Sequence, residues 1–301
     1  MTRHEQIKRM TDTVSSFIEY TAVHLPDDIV TKLEELRAAE DDPAALSIYE
    51  MMFENMQLAS ELGRPSCQDT GFVQFRIECG SRFPLLGDLE ELLRRAVIAA
   101  TGKTPLRPNV VETFDEFNTG NNIGKGAPSI SWKIVPGWDG CTLFTYLAGG
   151  GCSLPGHAAV LMPGEGYEGA VRFVLDRIAE YGPNACPPLL IGVGIANSVD
   201  TAAQLSKEAL FRPVGSKNPN GKAAEMECLL EDALNAMGIG PQGMGGKASV
   251  LGVHINNAAR HTATLGVGVS TGCWTHRRGK IVFDRDLNYF TETHSGFTCF
   301  Q

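Results

Sequence analysis

Residues 64–71 read RPSCQDTG. Here a thiol, Cys67, stands directly before an amide and a carboxylate, Gln68 and Asp69, just past a helix-like segment that stops at Gly63. A thiolate is a nucleophile and a soft metal ligand, and a neighbouring carboxylate can carry a proton. Two more cysteines keep similar company. Cys186 lies in PNACPPLLIGVG, ahead of an apolar run, and Cys273 lies in STGCWTHRRG, just after another. Each falls at a turn or strand end, where a loop can aim a side chain into a shared cleft. Cys79 and Cys141 read as strand positions, Cys228 as a helix-face residue, and Cys299 sits close to the chain end. Cys152, in GGGCSLPG, stays open, because its glycine-rich loop could approach a ligand. The plain alternative is a set of buried thiols, since unpaired cysteine is among the most buried residue types. The chemistry that wants three thiolates is narrower. Four saturate a [4Fe–4S] cluster, whereas three leave one iron open as a Lewis acid.

Bulk properties exclude several other classes. The net charge is −9, so the chain has no basic excess for phosphate backbones and is read as no nucleic-acid binder. A few arginines in one pocket can still hold an anionic substrate. The N-terminus, MTRHEQIKRMTDTVSSFIEY, has neither the apolar core nor the small-residue cleavage site of a signal peptide. No run approaches the roughly 20 apolar residues of a membrane span. These features predict a cytoplasmic protein with no membrane partner. Its eight cysteines then lie in a reducing compartment, where structural disulfides are rare. No C-x-x-C pair occurs, which removes local support for zinc ribbons and thioredoxin-like sites.

The elements that must position these residues are legible from periodicity. Ile7, Met10, Val14, Phe17 and Ile18 recur at helical spacing. PDDIVTKLEEL opens a second helix, and LSIYEMMFENMQLASEL a third that stops at Gly63, so about residues 1–63 are helix-rich. FVQFRIEC alternates like a strand. GDLEELLRRAVIAATG predicts an amphipathic helix with Asp88 as cap and Gly102 as stop. SISWKIV and CTLFTYL predict strands across a PGWDG turn. Beyond them helices alternate with apolar strands such as PPLLIGVGIA. That alternation predicts an α/β fold with partly parallel sheet flanked by helices. The expected organisation is one catalytic domain over 1–301.

Two glycine-rich stretches fall short of their motifs. GVGIAN begins like G-x-G-x-x-G but ends in Asn197, and GPQGMGGKAS has Pro241 where a phosphate loop needs glycine. No G-x-S-x-G elbow is present.

CQDTG, NTG, GGG, ACPP and the Arg-His pair ahead of the third cysteine resemble the N-terminal domain of the class I, iron–sulfur-dependent fumarases. SRFPLLG, VLMPGEGYEG, GIGPQGMGG, AARHTATLGVGVSTGCW and HRRG extend the resemblance over essentially the whole chain, and favour the family's tartrate-dehydrating members. The resemblance implies a hydro-lyase that converts L(+)-tartrate to oxaloacetate, with fumarate/malate as the alternative substrate pair and a non-catalytic iron–sulfur subunit as a further alternative. It implies that Cys67, Cys186 and Cys273 hold a [4Fe–4S] cluster with one open iron. Gln68, Asp69, Arg107 and Gly150 match positions that contact a dicarboxylate, and His261 matches a histidine that protonates the departing hydroxyl. Read without the family, Asp69 is a turn residue, Arg107 a surface ion pair and His261 a satisfied core histidine. Two departures stand out. GGGSANK of fumarases is GGGCSLPG here, placing Cys152 at a serine position and removing a lysine, and WTHRRG also differs. The second domain of one-chain fumarases is expected as a separate beta subunit, in an alpha2-beta2 assembly.

Overall fold

The computed structural model describes residues 1–299; Phe300 and Gln301, the last residues of the expected domain, lie outside the described residues. The chain divides into two compact units. One comprises Met1–Asp27, Glu54–Gly149 and the segment from Arg277 on; the other comprises Asp28–Phe53 and Gly150–His276. The helices are α1 (Arg3–Val23), α2 (Asp27–Ala39), α3 (Pro43–Leu62), α4 (Leu89–Lys103), α5 (Gly150–Ser153), α6 (Gly166–Tyr181), α7 (Val199–Ala209) and α8 (Gly221–Ala236). The strands are β1 (Phe72–Gly80), β2 (Val111–Glu112), β3 (Phe117–Asn118), β4 (Ser129–Val135), β5 (Cys141–Ala148), β6 (His157–Leu161), β7 (Leu189–Ala196), β8 (Val250–Asn257), β9 (Leu265–Gly272), β10 (Arg278–Phe283) and β11 (Tyr289–Thr291).

The first unit is built on a mixed sheet in the order β11-β10-β5-β1-β4, with only the β1–β4 pair parallel. Along β1, Val73, Phe75, Ile77 and Cys79 point to one buried face, the alternation expected of a strand covered on one side. Met10, Val14, Phe17 and Ile18 of α1 and Leu92, Leu93, Ala96 and Val97 of α4 close over that face. Thr2 and Glu5 form a reciprocal capping box at the start of α1. At α4 the structure departs from the expected ends. Asp88 makes no side-chain cap bond; its carboxylate meets Arg3 at 2.8 Å instead. The helix also runs through Gly102 to Lys103, because a single glycine costs only about 1 kcal/mol in a helix.

The second unit has a four-stranded sheet in the order β6-β9-β7-β8, with β7 and β8 parallel and the other pairs antiparallel. Leu189, Ile191, Val193 and Ile195 on β7 face α6 and α8 through Val174, Ile178, Leu230 and Leu234. α7 covers the opposite face. There the GVG of β7 gains its physical reason: a Cβ on Gly192 would strike the Ser206 carbonyl oxygen, and one on Gly194 the Ala202 carbonyl oxygen. Those glycines let α7 lie directly on the strand and do not form a dinucleotide turn. We expect Gly194→Ala to destabilise the protein by about 3 kcal/mol through overpacking, seen as a lower urea midpoint with the secondary-structure content retained. The near-match to a phosphate loop is likewise structural. Lys247 donates through Nζ to Asp41 at 2.7 Å and to the Ala39 carbonyl at 2.9 Å.

Candidate active site

In the first unit, the Cys67 turn is anchored before its functional residues begin. Gly63 ends α3 in the left-handed region (φ 58°), and the Arg64 N–H closes back to the Ala59 carbonyl. Ser66 donates from N and Oγ to the Ala22 carbonyl, at 2.9 and 3.3 Å. Asn55 Nδ2 donates to the Ser66 carbonyl at 2.8 Å. The turn leaves through Gly71 (φ 86°), where a Cβ would come within 2.7 Å of the Leu147 backbone. Only glycine allows the chain to enter β1 against β5 here.

Between these anchors lie the residues singled out from sequence. Asp69 Oδ1 accepts from the Gly71 N–H at 2.9 Å, and Asn109 Nδ2 stands 3.4 Å from the same oxygen. Asp69 is therefore a turn residue in its geometry, with its carboxylate orientation fixed by two donors. Thr70 Oγ1 accepts from the Arg107 N–H at 2.9 Å, tying the PLRPN loop to the turn. Cys67, Gln68 and Arg107 line one small cavity of about 220 Å³ with Arg64, Pro65, Thr70 and Pro105. Arg107 is exposed and enters no ion pair among the described residues, so the surface ion-pair reading gains no support.

In the second unit, Cys186 and Cys273 occupy adjoining turns. Cys186 follows a 3-10 turn (Gly182–Ala185) and takes left-handed dihedrals, φ 57° and ψ 66°, uncommon for a residue with a side chain. Its side chain is exposed, and its carbonyl accepts from the Trp274 N–H at 3.2 Å. Cys273 directly follows β9, half-buried, with Sγ 3.1 Å from Thr275 Oγ1. Gly150 begins the short α5, which packs on β9 and on the Gly182–Ala185 turn. Cys152 in α5 is buried, its carbonyl accepting from the Thr271 hydroxyl. α7 runs back along β7, with Ala202 opposite Gly194 and Ser206 opposite Gly192. That direction brings Lys207 to the cysteine end of the unit. Burial pushes the Lys207 ammonium below its usual range, and Cys152 acts on it in the opposite sense. No disulfide forms among the described residues. No group of three or more His, Cys, Asp or Glu side chains is gathered tightly enough for a metal ion among them.

His261 is not brought to these cysteines. It sits in the loop before β9, where its N–H donates to Asn197 Oδ1 at 2.9 Å and its Nδ1 accepts from the Ala263 N–H at 3.1 Å. β9 runs from Leu265 to Gly272, with Ala196 paired to Gly266 and Leu190 to Gly272. Its two ends are roughly 23 Å apart at about 3.3 Å per residue. Within one chain, His261 therefore lies at the opposite end of the sheet from Cys186 and Cys273. It is exposed, not a core histidine. His254, His276 and His294 are buried, the first two set against the Ala209 and Leu210 carbonyls.

Sequence reasoning passed over three residues around these turns. Asn109 holds Asp69, the Thr70 hydroxyl and the Gly71 carbonyl together. Lys207 lies in an ordinary amphipathic helix pattern and carries no signal. Arg277 was visible only as part of HRRG. It is 1% exposed, and its Nη2 donates to the Asp69 carbonyl at 2.7 Å.

A family model described as Fumarate hydratase (Fumerase) matches residues 11–282. The chain is 53% identical over 293 residues to a protein of Escherichia coli O157:H7 named L(+)-tartrate dehydratase subunit alpha, a match that covers 97% of each chain. It is 52% identical, with the same coverage of both chains, to proteins of that name in Escherichia coli strain K12 and in Shigella sonnei.

Proposed function

Because the chain belongs to the fumarate hydratase (Fumerase) family, we propose that it is the alpha subunit of a hydro-lyase that dehydrates L(+)-tartrate to oxaloacetate. The observation that carries this reading is similarity along 97% of both chains to relatives named for that activity and that subunit. The family model itself is named for fumarate hydratase, which makes fumarate and malate the second substrate pair to test. The relatives' designation as an alpha subunit supports a partner subunit; in this reading the partner is a beta chain that carries the remaining site residues, in an alpha2-beta2 assembly within the cytoplasm. No helix among the described residues is long and apolar enough to cross a membrane.

The donor chemistry fits an iron–sulfur group. Cys67, Cys186 and Cys273 each stand on a turn, outside any disulfide, and the last two come from adjoining loops. These three thiolates would hold a [4Fe–4S] cluster. Bound there, the cluster would supply Lewis-acid chemistry for loss of the substrate hydroxyl.

The chain's own residues then bind and orient. Arg107 offers a planar fork that matches a carboxylate better than an ammonium does. The Gln68 amide lines the same cavity and supplies a neutral donor. Gly150 presents backbone at the start of α5, where the absence of a side chain permits close approach. Asp69, held by Gly71 and Asn109, is oriented to handle a proton next to Cys67. In dehydration the C3 proton leaves to a base, the C2 hydroxyl departs with a proton from an acid, and the resulting enol tautomerises to the keto acid. An acid and a base on opposite faces share this proton work. If His261 is the acid, the strand ladder requires that it serve the site of a second copy.

The test is anaerobic. The chain is co-expressed with its partner subunit, iron and sulfide are reconstituted, and L-tartrate and malate are assayed side by side. Oxaloacetate formed mainly from L-tartrate is expected. Turnover of malate alone would move the chain to the fumarases, and silence on both would overturn the reading.

A further inference from the structure

The segment after Cys273 is polar and yet buried. Thr275, His276, Arg277 and Arg278 are 4%, 1%, 1% and 1% exposed. Among them Arg277 is unusual in what it lacks. Its Nη2 donates to the Asp69 carbonyl, but its Nε and Nη1 are buried without an acceptor. Among the described residues it enters no ion pair, and its one hydrogen-bond acceptor is a neutral peptide oxygen. Buried polar groups are nearly always hydrogen-bonded. A buried guanidinium without a counter-charge is among the most costly arrangements a protein can hold, unless something else supplies the charge.

The position of this cation indicates what is missing. Asp69 is two residues past Cys67, so the guanidinium is fixed directly behind the turn that carries the thiol. Guanidinium is rigid and planar, which keeps Nε and Nη1 within about 2–3 Å of the nitrogen already bonded to that turn. Lysine could not do the same, because it presents one point charge and no second fixed donor. The carbonyl of Arg277 is itself held by the Leu147 N–H at 3.0 Å, on β5, so the backbone beneath the side chain is part of the sheet. A fixed backbone, one anchored nitrogen and two unfilled donors make a preorganised anion site.

We infer that Arg277 is an anion-binding residue whose guanidinium receives a negative group seated at the Cys67–Asp69 turn, either sulfur of the iron–sulfur group or a carboxylate of the substrate. The identity of that anion rests on the function proposed above; the presence of unfilled donors does not. Hydrogen bonds and charge near cluster sulfurs raise the reduction potential, whereas a carboxylate contact acts on substrate affinity. The two sources therefore leave different traces.

Three forms of the alpha–beta complex separate them: wild type, Arg277→Gln and Arg277→Lys. L-tartrate binding to the iron-free complex is measured by calorimetry. Iron content, electron paramagnetic resonance of the reduced cluster and its potential are measured after reconstitution, and KM is measured apart from kcat. A carboxylate partner predicts that Arg277→Gln weakens L-tartrate binding and raises KM at least about tenfold, the scale of one lost charged hydrogen bond, with an unchanged spectrum. A sulfur partner predicts a lower potential, a changed spectrum or lower iron content, with KM unchanged. Arg277→Lys keeps the charge and is expected to recover part of whichever effect is seen. It also serves as the folded comparison if Arg277→Gln does not fold. If both variants fold and change none of these readouts, lowering only thermal stability, Arg277 is a packing residue and the inference is overturned. A wild-type complex that takes up iron but turns over neither substrate defeats the proposed function alone, because spectrum, potential and calorimetry still decide the role of Arg277.

Discussion

If Cys186 is a ligand of the proposed cluster, Cys186→Ser gives a folded chain that still assembles with the proposed partner subunit, takes up little iron and loses activity by about 10³-fold or more. The size follows from the several kcal/mol that a Lewis-acid metal contributes to such a step, at about 1.4 kcal/mol per factor of ten. The fold survives because Cys186 is exposed, and exposed substitutions usually change stability by no more than about 0.5 kcal/mol. Serine keeps the left-handed backbone as it was, so the change removes thiolate chemistry and little else. Cys228→Ser is the matched control, since Cys228 is also exposed but sits on α8, outside the cysteine turns. It should retain iron and activity. Cys152→Ser separates two ligand sets: with three thiolates it spares the cluster, and with Cys152 as a fourth ligand it destroys it. Full activity with normal iron content in Cys186→Ser would remove Cys186 from the site.

His261→Ala in every copy lowers kcat by about 10²–10⁴, the usual range for a positioned general acid. The sharper result comes from mixing. A complex that carries one His261→Ala chain and one Cys186→Ala chain contains, by symmetry, one site with intact cysteines facing an intact histidine. Random assembly of the two variants then regains about a quarter of wild-type activity. If His261 served the cysteines of its own chain, no mixed species would have a complete site and no activity would return. The ladder from Leu265 to Gly272 is what makes the first outcome the expected one. A mixture as inactive as its parents, with mixed complexes shown to form, would overturn the assignment of His261 to the site of a second copy.

Much of the architecture was legible because it is local. The alternation of FVQFRIEC marks β1, and the glycine after LASEL marks the end of α3 in its left-handed conformation. The strand positions of Cys79 and Cys141 also hold; the two residues pair directly across β1 and β5. Other features could not be read. Asp88 precedes a helical pattern, but its choice of Arg3 over the cap is a contact between residues 85 apart. The glycines of GVGIAN match the beginning of a phosphate-binding pattern, and only the proximity of α7 shows that they serve packing. His261 and Cys273 are twelve residues apart in sequence, a spacing that invites one to place them together; an extended strand between them separates them instead. Arg277 was hidden for a different reason. Burial of a charged residue contradicts its type, so sequence supplies no signal for it.

The division of the chain into two units has a consequence for biosynthesis. β10 pairs with β5 and β11 with β10, yet the segment that forms them follows the whole of the second unit in sequence. As the polypeptide emerges from the ribosome, every residue of the second unit is available before the sheet of the first can be completed. Until then β5 waits with one edge uncovered, and exposed strand edges invite pairing with other chains. The nascent chain thus carries an adhesive edge through more than a hundred residues of translation, counted from Gly149 to Arg277. Holding chaperones should engage it in that interval, and slow synthesis of the last segment should lower the soluble yield.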